Sequence, residues 1–298
     1  MNLSSVDRGQ EDKDAQEIMD KLTIERYYDK TQPFYRLFWH RDLGSYALHC
    51  GFWDNNTKSL HEALLNQNQF LAGQVRFKPH HRVLDAGCGI GGSSIWLAKH
   101  YGAKVTGISL SRTQAQVACA LAESNNTTSL SKFCVMDYLE LGFPANTFDV
   151  VWAVESICHA ENKKDFVKEA YRVLKPQGKL IISDAFLKRE TRIAEDERVL
   201  RDFLRGFVVP NLATRNGFEK ALQAAGFNNV KCWDKTEEIK PSSKRMYVMC
   251  LVSHYFFRIC QTFTAVDEIL RNSVLAGIAQ YKAVKNDLCA YLVFYAEK

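Results

Sequence analysis

From Arg82 onward, short apolar runs alternate with amphipathic stretches, the pattern of a parallel sheet built from strand–helix–strand units. The runs predict strands over residues 82–85, 104–108, 132–136, 148–154 and 179–184, with helices starting near Gly91, Ser111 and Lys163 between them. Beyond Asp184 the strict alternation stops. The pattern there predicts helices over 193–207 and 216–225, a strand over 229–233, helices over 243–263 and 266–284, and a last strand over 288–297. The short link before that strand predicts its return to the sheet edge. Upstream of Arg82, segments 15–28, 34–41 and 60–75 read as helices, the third with Leu64, Phe70, Leu71 and Val75 at turn-like intervals.

A chain of 298 residues suffices for one large domain with insertions or for two small ones. It contains no internal repeat, low-complexity tract or Pro/Gly linker, which favours a single domain over 14–298 preceded by a disordered 1–13. With 46% hydrophobic and 24% charged residues, the composition is that of an ordinary globular protein. The net charge of +5 comes from scattered basic residues, so no nucleic-acid partner is implied. The nine cysteines form no Cys-x-x-Cys pair and are odd in number, which points to free thiols in a reducing compartment and to no zinc site. The N-terminus lacks a signal-peptide core, and the most apolar stretch, 246–257, is far shorter than the ~20 residues that cross a bilayer. A cytoplasmic protein without a transmembrane segment is expected, and a homodimer through the C-terminal helices is left open.

Chemistry concentrates where the first predicted strand ends, at Val83-Leu84-Asp85-Ala86-Gly87-Cys88-Gly89-Ile90-Gly91-Gly92. Glycines let backbone approach a ligand closely, and the carboxyl edge of such a sheet is where nucleotide-like cofactors bind. The run satisfies the dinucleotide fingerprint, and Ser109 with Arg112 after the second strand would suit NADP. Asp85 favours another ligand: its carboxylate can face the ammonium of an amino-acid tail, a group that nicotinamide cofactors lack. That logic points to S-adenosylmethionine.

On these motifs, from about Tyr27 to the C-terminus, the chain resembles the class I S-adenosylmethionine methyltransferases, and in particular the tocopherol and sterol C-methyltransferases and the cyclopropane fatty-acid synthases. The resemblance implies an α/β, Rossmann-like fold with a seven-stranded, mostly parallel sheet, helices on both faces, an N-terminal helical cap and a helical lid insertion. It divides the chain into a cap (14–80), a cofactor-binding core (81–186), a lid and acceptor region (187–265), and a last helix with an edge strand (266–298). By the same resemblance, Asp85, Gly87, Cys88 and Gly89 hold the methionine part and Ser109, Leu110 and Gln114 the ribose. Asp137 and Tyr138 lie at the adenine, and Tyr28, His49 and Cys50 fold over the cofactor. Ser111-x-x-Gln114 also reads as a helix capping box, Asp137 as a surface turn, and His49 to Trp53 as an aromatic plug.

After the fourth strand, Glu155-Ser156-Ile157-Cys158-His159 resembles the Glu-x-x-x-His stretch of the sterol and tocopherol enzymes, which makes Glu155 and His159 the catalytic candidates, with Glu155 also beside the cofactor. A salt-bridged Glu155 and a capping or core His159 are the plain structural readings. Cyclopropane synthases hold a carbonate base with a Cys and a Glu that match Cys50 and Glu155. The Phe, Tyr and Met residues between 202 and 263 would suit an apolar or ring-shaped small-molecule acceptor, or simply pack as core. The functional expectation is methyl transfer to a small molecule, isoprenoid, lipid-like, phenolic or amine. An NADP-dependent reductase and a cofactor-binding protein without transferase activity are the rival readings.

Overall fold

The structure is a computed structural model that describes residues 21–40, 44–190, 193–261 and 265–298. The expected disorder of 1–13, residues 15–20 and 41 of the first two predicted helices, and the end of the one predicted over 243–263 lie outside the described residues. Seven strands form one sheet: β1 (Arg82–Ala86), β2 (Lys104–Ser109), β3 (Ser131–Val135), β4 (Phe148–Val154), β5 (Leu174–Leu187), β6 (Asn228–Asp234) and β7 (Cys289–Glu297), in the order β3-β2-β1-β4-β5-β7-β6. Only β7 runs antiparallel to its neighbours β5 and β6. The mostly parallel, Rossmann-like architecture is the one the sequence implies.

Helices cover both faces because the central strands are apolar on both. One face presents Leu84, Val151, Leu180 and Ile182 to α5 (Lys163–Val173) and α7 (Arg215–Ala224), through Phe166, Val167, Phe218 and Leu222. The other presents Val83, Val105, Trp152 and Ile181 to α2 (Leu60–Val75) and α3 (Gly92–Tyr101), through Leu71, Val75 and Leu97. The remaining helices are α1 (Lys21–Phe34), α4 (Arg112–Ser124), α6 (Ala194–Gly206), α8 (Thr236–Cys260) and α9 (Glu268–Lys285). Pro33 lies in the last turn of α1, and the chain continues as a π-helical stretch, Tyr35–His40, in place of a separate second helix.

Three expectations need correction. The last strand is not at the edge: β7 is inserted between β5 and β6 and pairs with β5 from Lys179↔Glu297 to Leu187↔Cys289. Eight of its nine residues are buried, so both its faces need cover, whereas β6 is largely exposed and can stand at the edge. Second, the stretch 187–265 does not form one lid, because α7 and β6 within it build the main core and sheet. Third, α8 begins at Thr236, ahead of the predicted 243, and runs through Pro241 in its second turn. Ile239, buried against the sheet, holds that polar first stretch in place.

Helices α6 and α9 meet at Gly206, where a β-carbon would sit 2.2 Å from the Asn272 carbonyl oxygen. Gly206→Ala should therefore push α6 and α9 apart and destabilise the fold by about 1–3 kcal/mol, read as a lower urea midpoint; an unchanged midpoint would show that the contact is not limiting.

Candidate active site

The carboxyl ends of β1, β2 and β4 meet at one edge and open into a single cavity. After β1 the chain turns through Gly87 at φ 82°, and a β-carbon there would lie 2.4 Å from that of Ser156. Ser156 in turn donates its hydroxyl to the Ala86 carbonyl at 2.6 Å, locking the loop after β1 to the turn after β4. Asp85 is 2% exposed and accepts a 2.6 Å hydrogen bond from Ser94 of α3. Burial pushes its carboxyl up to about 7.

At the end of β2, Ser109 donates to Gln114 Oε1 at 2.8 Å, and Ser111 caps α4 by accepting from the Gln114 backbone N–H at 3.0 Å. The cap is thus made, but the reciprocal half of the capping box is not: the Gln114 amide turns to Ser109, and its buried Nε2 has no hydrogen-bond partner. A buried donor left open in the cavity wall fits a ligand that carries acceptor oxygens there, as the ribose of S-adenosylmethionine does. Asp85 at the glycine turn fits its ammonium.

Glu155 follows β4 in the left-handed region, φ 47°, an uncommon conformation for a residue with a β-carbon. Its Oε1 accepts from the Cys50 backbone N–H and from the Tyr291 hydroxyl, both at 2.7 Å. Gln67 of α2 donates to that hydroxyl at 2.9 Å and fixes it. Burial pushes Glu155 up to about 7. Asp184 of β5 lines the same cavity, accepts from the Cys158 N–H at 3.0 Å and is pushed up to about 6, again by burial.

His159 Nδ1 lies 3.0 Å from the Val208 carbonyl oxygen, which can only accept, so Nδ1 carries the proton. Nε2 is then free to accept from the Tyr28 hydroxyl at 2.7 Å. Burial lowers His159 to about 4 and keeps it neutral. Val208 is itself left-handed, φ 56°, though β-branched. Lys163 holds this arrangement: its ammonium donates to the Cys158, Ala160 and Asn211 carbonyls at 3.0, 2.6 and 2.7 Å, tying the His159 turn to the segment after α6. Burial lowers it to about 8.

Of the residues singled out in the sequence, Tyr28, His49, Cys50, Asp85, Gly87, Cys88, Gly89, Ser109, Leu110, Gln114, Tyr138, Glu155 and His159 line this one cavity. Asp137 does not: its carboxylate pairs with Lys21 at 2.6 Å and accepts from the Leu139 N–H at 2.8 Å, a turn at the rim. The loop from Gly51 to Trp53 also acts as the plug, with Gly51 N–H and Trp53 Nε1 on the Ser242 hydroxyl at 3.0 and 2.8 Å. Sequence reasoning missed Asp184, Tyr291 and Lys163. Asp184 closes the predicted fifth strand, so its place at the carboxyl edge was a usable signal; Tyr291 and Lys163 carry none. None of the nine cysteines is in a disulfide, and among the described residues no cluster of His, Cys, Asp or Glu is placed to hold a metal ion.

A family model described as a methyltransferase domain matches residues 84–182, which begin in β1 and end in β5. The chain is 41% identical over 151 residues to 2-methyl-6-phytyl-1,4-hydroquinone methyltransferase from Synechocystis sp., a match that spans 50% of this chain and 46%, about half, of that protein. It is 32% identical over 196 residues to 27-O-demethylrifamycin SV methyltransferase from Amycolatopsis mediterranei, covering 65% of this chain and 71% of that one. The chain therefore belongs to the S-adenosylmethionine-dependent methyltransferase family. Mycolic acid cyclopropane synthase, solved with S-adenosylhomocysteine, shares the fold with a TM-score of 0.80 at 16% identity, over 93% of this chain and 98% of that one.

The raised Asp85 carboxyl has a stability signature. An unfolded carboxyl titrates near pH 4, so the folded chain alone holds this proton from there up to about 7, and Asp85 costs stability as pH rises through that window. Asp85→Asn should be progressively stabilised relative to the parent as pH rises from about 4 to about 7, measured as the difference in urea midpoint; a difference independent of pH would contradict the buried, proton-holding carboxyl.

Proposed function

We propose that this chain transfers the methyl group of S-adenosylmethionine to a small-molecule acceptor whose reacting end lies against Tyr28, His159 and Glu155. The observation that carries the proposal is the neutral His159, held with Nε2 toward the Tyr28 hydroxyl in the cavity that also holds the glycine turn of β1. The cofactor supplies a methyl carbon on a sulfonium, open to in-line attack. Asp85 would hold its ammonium, Ser109 and Gln114 its ribose, and the loop from His49 to Cys50 would shut out water.

With S-adenosylmethionine held there, its carbon–sulfur bond would break as the acceptor takes the methyl carbon, and the electron pair would stay on sulfur. Positioning in a dry site is the larger part of the work, up to ~7–11 kcal/mol. An acceptor hydroxyl, amine or acidic carbon loses its proton to His159 Nε2, directly or through Tyr28, or to Glu155. His159, lowered to about 4, is already free to accept a proton near neutrality, whereas Glu155 becomes a base only as it loses its own proton, above about 7.

Calorimetric titration with S-adenosylhomocysteine and, separately, NADPH tests the cofactor. Micromolar binding of the first alone is expected, and the reverse would revive a reductase. Asp85→Asn should weaken S-adenosylhomocysteine binding by roughly 10- to 100-fold, the worth of a charge-assisted hydrogen bond. His159→Ala should leave that affinity intact and lower kcat by roughly 10²–10⁴ on any acceptor that must lose a proton; transfer at the parent rate would remove His159 from the mechanism.

A further inference from the structure

His49 lines the active-site cavity and is 6% exposed. Trp39 of the π-helical stretch donates to its carbonyl at 3.1 Å. Its Nδ1 lies 2.6 Å from the Cys50 carbonyl oxygen, which can only accept, so Nδ1 carries a proton and Nε2 of a neutral ring is an acceptor. Beside that ring is the fully buried side chain of Gln67 on α2, whose hydrogen bonding strengthens the imidazole's hold on a proton. Gln67 spends its Nε2 on the Ser183 and Tyr291 hydroxyls at 3.2 and 2.9 Å, so what it offers His49 is Oε1, a second acceptor. Among the described residues neither His49 Nε2 nor Gln67 Oε1 has a hydrogen-bond partner. Two buried acceptors left open together cost stability unless a proton lies between them.

These two atoms are the gap in a ring of hydrogen bonds. Gln67 donates to Tyr291, Tyr291 and the Cys50 N–H both donate to Glu155 Oε1, and the Cys50 carbonyl accepts from His49 Nδ1. Two donors on one carboxyl oxygen is the arrangement of an ionised Glu155. Turning the Gln67 amide over would give His49 Nε2 a donor, but Oε1 would then meet a Tyr291 hydroxyl whose proton is already on Glu155. That turned form is satisfied when Glu155 holds a proton and donates it to Tyr291; the observed form is satisfied when His49 holds one. We propose that His49 is a positioning residue for Glu155: it takes a proton on Nε2, donates it to Gln67 Oε1, and so supports the ionised carboxylate across the ring. Where that proton comes from Glu155 itself, the carboxyl O–H bond breaks, the imidazole N–H bond forms, and the net charge of the pair is unchanged.

Burial opposes a charge on either group alone, lowering His49 and raising Glu155. Together each charge favours the other, and the two titrate as a unit. Asp184 of β5 opposes the Glu155 charge, while the Cys50 thiol and the Tyr291 hydroxyl donate to it. Tyr28 and Tyr35 face it from the side of α1. None of these is a cation, so His49 supplies the counter-charge that they do not. This role rests on the methyltransferase reading only for what Glu155 then does as a base.

The full chain, with isotope-labelled histidine and glutamate, is titrated by NMR from about pH 5 to about pH 9, without cofactor or acceptor. The His49 signal is identified by its loss in His49→Gln, and the Glu155 carboxyl signal by its loss in Glu155→Gln. Glu155→Gln removes the charge at nearly constant shape, and Gln67→Leu removes the acceptor, so a folding defect in one leaves the other to decide. The midpoint of His49 protonation in the parent should lie at least one pH unit above that in either variant, a tenfold difference in proton affinity. Reciprocally, His49→Gln should raise the Glu155 midpoint by at least one unit, which a merely structural histidine would not do. A parent His49 already neutral at about pH 5, or midpoints unmoved by the substitutions, overturns the pairing. Loss of S-adenosylhomocysteine binding, measured separately, would bear on the methyltransferase reading and leave these midpoints standing.

Discussion

Parallel pairing of β1 with β2 and β4 sets Asp85 opposite Gly107 on one side and Trp152 on the other, so three strands stop within a residue or two of a common edge. The placing of Asp85, Ser109 and Glu155 at the cavity depends on that register. Side chains alternate between the faces of a sheet, and a slip of one residue would turn Asp85 away and break the contact between Ala86 and Ser156. The apolar cover on both faces supplies the force that holds the register, since the same slip would expose Leu84 and Val151 or Val83 and Trp152 to the wrong helices.

Within that frame the site is electrostatically unsatisfied. Asp85, Glu155 and Asp184 share one buried cavity, each raised by the loss of water, and Lys163 spends its ammonium on backbone carbonyls instead of approaching them as a close counter-ion. Such a cavity favours cations, and a molecule with both a sulfonium and an ammonium suits it better than a phosphate-bearing nucleotide would. Two residues of the site, Glu155 and Val208, are left-handed, one carrying a carboxyl of the cavity and the other the carbonyl that holds His159. Strain of this kind persists where the surrounding packing over-determines it, and here Tyr291, Cys50 and Lys163 do so.

The parts of the chain beyond β5 divide their work. The strand β6 and helix α7 extend the sheet and its core, while α6, α8 and α9 line the active-site cavity through Phe203, Met246 and Gln280. The first half of α8 is stapled to the plug loop through Ser242, and Met249 and Phe257 of its second half line a second cavity beside the first. Among the described residues no helix is long and apolar enough to cross a membrane.

Much of this was legible in the sequence, because the signals involved are local. Periodicity marks β1 to β4 to within a residue or two, and the Asp85–Gly91 run marks a close-approach turn through the chemistry of glycine itself. Ser109 and Glu155 could be chosen because they stand directly after predicted strands, and His159 because it follows close behind, where the sheet edge must lie, whereas Gln114 was marked by the family resemblance and the capping-box spacing. What the sequence left open was decided by contacts between distant segments. The placement of β7 beside β5 brings Tyr291 onto Glu155 from 136 residues away, and the approach of α1 to the turn after β4 brings Tyr28 onto His159 across 131. Asp137 shows the same limit in reverse: it follows a strand as required, yet its carboxylate pairs with Lys21 of α1 and does not line the cavity. Strand and turn chemistry are written residue by residue, but a hydrogen bond between remote groups exists only once packing has fixed both backbones, and that information belongs to the fold.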